Sequence, residues 1–179
     1  MFLLVALWGL RAWRAPAAFL QSWERLAYGI LLIGVGLVAF GSAYYHAHPD
    51  GQTLFWGRLP MTVAFMSLLA TTIGERINPT AGKILLLPLL ALGVVSVLYS
   101  RASGDLKLYA FVQFYPVLVL PLLIGIAPPR YSGTGGLVAM MAFYSLAKIP
   151  EAFDRRIGAV VATGGHPWKH VAGAIAMLY

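Results

Sequence analysis

What most constrains this chain is a series of long apolar stretches, each nearly free of charge and each ended by a cluster of loop-forming residues. A helix that crosses a bilayer needs about 20 apolar residues, with a working range near 17–25. Read between charges, seven stretches are candidates: Met1–Leu10, Leu26–Ala47, Leu59–Gly74, Ile84–Ser100, Leu106–Ala127, Gly135–Pro150 and Ile157–Tyr179. The first is short. The breaks between them carry turn chemistry, such as Arg14-Ala15-Pro16, His48-Pro49-Asp50-Gly51, Asn78-Pro79-Thr80 and Pro128-Pro129-Arg130. The alternating ten-residue segments of a β-barrel are missing. The pattern predicts an all-α fold: one domain over 1–179, an integral-membrane bundle of seven transmembrane helices with a shortened first helix. The chain starts at full hydrophobicity and stops without a polar tail, so both termini are expected to be cut inside helices.

Composition sharpens this. Only 11% of the 179 residues are charged, less than half the share of an ordinary soluble domain. There is no cysteine, which removes thiol catalysis and thiolate metal sites. The net charge of +7 comes from basic residues standing singly or in pairs between apolar runs. That placement suits loops facing anionic headgroups and argues against nucleic acid as a partner. Arg11, Arg14, Arg25, Arg76, Lys83 and Arg130 are expected at one membrane face, and Arg58, Arg101, Lys107, Arg155 and Arg156 at the other. The first loop favours an outside N-terminus.

Ionisable groups within spans mark function by default, and two stretches stand out. The second run ends Gly41-Ser42-Ala43-Tyr44-Tyr45-His46, and the seventh contains His166-Pro167-Trp168-Lys169-His170. Ser42 and His46 are four apart, as are His166 and His170, so each pair shares a helix face. Pro167 is compatible with this if the last helix begins near His166. An even-numbered helix ends, and an odd-numbered helix after the first begins, on the N-terminal side. His46, His166 and His170 therefore fall at one membrane level. Three imidazoles would hold zinc with one open position, the catalytic arrangement. Ser42 could then bond a developing oxyanion or the zinc-bound water; a serine bonded only to helix backbone is the plainer reading of the same residue. His48 reads as an interfacial residue. Tyr44 and Tyr45 read as interface-belt residues. Gln113, Tyr115, Lys148 and Glu151 either line a cavity or sit at helix ends.

Ser-x3-His closing the second helix, Arg58-Leu59-Pro60-Met61-Thr62 opening the third and His-x3-His near the start of the seventh resemble the alkaline ceramidase family. That family belongs to the wider CREST group of seven-helix membrane hydrolases, and the stretch from Gly41 to Thr62 is most similar to bacterial members. The resemblance implies zinc held by His46, His166 and His170, with Ser42 beside it. It further implies hydrolysis of a lipid amide such as ceramide to a sphingoid base and a fatty acid, within a bacterial inner membrane. The acidic cluster that binds calcium in eukaryotic members has no counterpart here, so no calcium is expected.

One expected residue is missing. The family pattern places an Asp eleven residues after the first His, where this chain has Gly57. That Asp acts in the family as general base, so its loss predicts slower proton transfer by roughly 10²–10⁴-fold. Asp50 is the nearest substitute in sequence. The same absence leaves open a non-enzymatic, zinc-containing lipid-binding or receptor-like protein.

Overall fold

The computed structural model describes residues 1–152 and Ile175. Among the described residues there are six α-helices: α1 (Phe2–Arg14), α2 (Ser22–Ala47), α3 (Gly51–Arg76), α4 (Pro79–Ser103), α5 (Lys107–Ile126) and α6 (Thr134–Ala152). A single 3₁₀ turn, Pro16–Ala18, follows α1. Four of the helices, α2 to α5, are long and apolar enough to cross a membrane, as a membrane protein requires. With 13 residues, α1 rises only about 20 Å, short of a hydrocarbon core near 30 Å thick. The seventh candidate stretch, Ile157–Tyr179, lies outside the described residues except for Ile175.

Local chemistry sets the helix boundaries, and two differ from the apolar count. The start of α2 is Ser22 rather than Leu26, because Gln21 and Glu24 form a reciprocal capping box. The start of α3 is Gly51 rather than Leu59. Asp50 caps it by accepting from the Thr53 amide at 2.6 Å, and the Thr53 hydroxyl bonds back to the His48 carbonyl. Gly57 and Arg58 therefore lie two turns inside α3, not in a loop before it. Asn78 caps α4 ahead of Pro79, the position where a missing amide does no harm. Gly104 ends α4 at φ 74°, a left-handed turn that suits glycine.

The centre of the bundle is α3, which packs against α2, α4 and α5. It is the least apolar of the four spans and the most buried, at 56% of its most apolar segment against 28% for each of the others. The two facts go together: the helix that carries Thr62, Ser67, Thr71 and Thr72 is the one its neighbours surround. Thr62, Thr71 and Thr72 donate to carbonyls of their own helix, and Ser67 donates across to the Ala27 carbonyl of α2 at 2.6 Å. Apolar clusters fill the remainder: Phe65, Met66 and Leu69 with Val112 and Leu120 of α5, and Trp23, Ala27, Ala70 and Leu86 where α2, α3 and α4 meet.

Two glycines set how closely the helices approach. A Cβ on Gly41 would strike the Trp56 carbonyl group and lie 2.9 Å from the Gly57 Cα. A Cβ on Gly82 would lie 2.6 Å from the Gly74 Cα and 2.7 Å from the Ala70 carbonyl oxygen. Small residues at such crossings let backbones pack where no hydrophobic force drives helices together.

Candidate functional site

The up-and-down chain gives the bundle two distinct ends. One gathers the C-terminus of α2, the N-terminus of α3, the C-terminus of α4 and the N-terminus of α5. Here stand Ser42, His46, His48, Asp50, Arg58, Arg101 and Lys107. Arg101 lies over the Phe55 ring at 4.7 Å and Arg58 over the Tyr109 ring at 4.9 Å, tying α3 to its neighbours through cation–π contacts.

Of the residues singled out in the sequence, the structure brings Ser42, His46 and Gly57 to this end. His46 is in the last turn of α2 and exposed, with its ring against Tyr45 at 5.8 Å. Ser42 lies one turn earlier and is half-buried. Gly57 is half-buried where α3 crosses α2, and a Cβ there would lie 3.8 Å from the Gly41 carbonyl oxygen, an ordinary contact. The crossing thus sets position 57 beside Gly41 and its neighbour Ser42, with room for a Cβ. His166 and His170 lie outside the described residues, and among those described no group of three His, Asp or Glu is arranged to hold a metal.

Asp50 does not substitute for an acid at position 57. Its carboxylate is engaged as the α3 cap. The amide of Thr53 holds its pKa below the usual carboxylate value, the opposite of what a general base working near neutral pH needs. His48 ends α2 with its ring near Tyr44. Gln113 is half-buried and Tyr115 is exposed beside Phe111 on α5. The side chains of Lys148 and Glu151 lie outside the described residues.

The opposite end holds a polar network that the sequence reading missed. Glu24 is 7% exposed. Its Oε2 accepts from the Leu20 amide at 3.1 Å, the Gln21 amide at 3.0 Å and the Tyr131 hydroxyl at 2.5 Å, while Arg130 stands 3.7 Å from Oε1. Burial and then the bond to Glu24 raise the Tyr131 pKa, so its hydroxyl stays a donor. Arg76, its side chain 1% exposed, donates to the Ala127 carbonyl at 3.2 Å and to the Thr134 hydroxyl at 2.7 Å. The α5–α6 connection is thereby held against α2 and α3. The available signal was Glu24 three residues after Gln21, a capping-box spacing. Nothing local announced that Arg76 would be buried.

No protein-family model, curated protein or solved structure matches this chain.

Proposed function

We propose that this chain is a zinc-dependent intramembrane hydrolase of lipid amides, similar to the alkaline ceramidases, built as a seven-helix bundle and lodged in a bacterial inner membrane. The observation that carries the reading is the α2–α3 crossing. It sets position 57, where the family pattern has its acid, beside Gly41 and Ser42 and at the same end as His46. The residues that would hold the metal are His46, His166 and His170, a donor set suited to zinc with one open position. When bound, zinc supplies a Lewis acid and a water of lowered pKa. Ser42, a turn before His46, would donate to the oxygen of the reacting amide. The proton relay is the deficient part: Gly57 brings no carboxylate, and turnover of a ceramide is expected to fall roughly 10²–10⁴-fold below that of a chain with the acid.

Metal analysis of the purified protein tests the core of this reading, with about one zinc per chain expected and His46→Ala or His166→Ala removing it. Gly57→Asp is expected to raise amide hydrolysis, and zinc should stabilise that variant more than the parent, because the new carboxylate would face the cation. A chain without zinc, or a Gly57→Asp variant indifferent to it, sinks the reading. Gly57 itself favours a second one, a zinc-containing lipid-binding or receptor-like protein. Tight ceramide binding without turnover over hours, unchanged by Gly57→Asp, would select it.

A further inference from the structure

At the Glu24 end, about 30 Å along α2 from His46, a crevice of about 630 Å³ opens between α1, α2, α3 and α6. That volume lies within the range of small-ligand sites. Its lining is graded along the helix axes. The deep part is formed by apolar residues including Val5, Val35, Leu68 and Met140, and the mouth by Arg11, Glu24, Glu75 and Tyr131. An apolar channel with a polar mouth matches a single-chain amphiphile.

The charges at the mouth select its head group. Glu24 is saturated by two amides and a hydroxyl, with Arg130 at 3.7 Å. Glu75 is countered by Arg76 at 3.5 Å. An ammonium head would therefore find both acids already occupied. Among the described residues of the lining, Arg11 is the only cation. It is exposed, lies over the Trp8 ring at 4.0 Å and forms no ion pair with a carboxylate among the described residues. We propose that this crevice binds a long-chain fatty carboxylate, its chain between the four helices and its head on Arg11. The site is independent of the zinc reading and lies at the other end of the bundle.

The test uses the whole chain in phosphatidylcholine nanodiscs, titrated with stearate brominated at mid-chain while tryptophan fluorescence is followed. Trp8 forms part of the crevice wall, so saturable quenching is expected, displaced by unlabelled stearate. Arg11→Gln should weaken stearate about tenfold or more, the loss of a charge-assisted bond, and Arg11→Lys should retain most of the affinity. Met140→Trp, which fills the deep part, should weaken it as well. Lys107→Gln, which removes an exposed cation at the other end of the bundle, should leave the titration unchanged. Quenching that rises without saturation, Arg11→Gln binding as the parent does, octadecylamine displacing better than stearate, or a loss on Lys107→Gln as large as on Arg11→Gln would each overturn the proposal.

Discussion

The crossing of α2 and α3 allows a paired perturbation whose two halves should differ in sign. Gly41 and Gly57 face each other across one contact, yet their surroundings are unequal. A methyl on Gly41 would run into the carbonyl group of Trp56, whose carbon lies 2.8 Å away, and would meet the Gly57 Cα at 2.9 Å. These are backbone atoms within a helix and cannot rotate aside, so Gly41→Ala must push α2 from α3. Overpacking of this kind costs about 1–3 kcal/mol, and more where the obstacle is rigid; about 2–4 kcal/mol is expected. A methyl on Gly57 meets nothing closer than 3.8 Å. Gly57→Ala should be neutral, or stabilise by up to about 1 kcal/mol, as alanine is the better helix former. Thermal unfolding of both variants in one detergent, followed by helical circular dichroism, gives the comparison. Equal melting temperatures, or a Gly57→Ala variant that melts well below Gly41→Ala, would refute the packing argument and remove the crossing as support for a side chain at position 57.

Three further perturbations address the opposite end and the α2–α3 turn. Glu24→Ala strips the acceptor from two amides and the Tyr131 hydroxyl and should destabilise by about 2–4 kcal/mol, with Glu24→Gln retaining part of the loss, both read from melting curves. Arg76→Met removes the two bonds that hold the α5–α6 connection and leaves Glu75 without its partner, so protease should cut near Arg130 faster than in the parent; unchanged cleavage would argue that the connection is held by other contacts. Asp50 has its folded pKa below the unfolded value near 3.9, so it contributes stability above that value and loses it as pH falls through the folded pKa. The acid limb of the stability–pH curve should flatten in Asp50→Asn, and an unaltered limb would assign it to other carboxylates.

The apolar helices were legible because a long uncharged run must bond its own backbone, and the helix does so. Leu106–Ala127 and Gly135–Pro150 match α5 and α6 within a residue or two. Where the reading fell short, polar residues had entered a helix. Gly51 to Arg58 carry glycine, glutamine, threonine and arginine, so counting apolar residues stopped at Leu59, although Asp50 with Thr53 three residues later marks a cap in sequence. The same bias hid Arg76. A count of charges assigns every arginine to a loop, and only the packing of α3 among α2, α4 and α5 makes its last turn an interior position.

That bias also bears on how the candidate site should be read. A sequence that places Gly57 in a loop before a helix lets its missing side chain pass as a feature of a flexible turn. Inside α3, glycine has a real cost against alanine, and at Gly41, Gly74 and Gly82 a close neighbour explains why it is accepted. Gly57 has no such neighbour on its Cβ side. The glycine there is not required by the packing of α2 on α3, since a Cβ meets nothing closer than 3.8 Å, and this is the position at which the two proposed readings differ. Restoring a single side chain at position 57 therefore tests the proposed proton relay, while zinc analysis tests the proposed metal site separately.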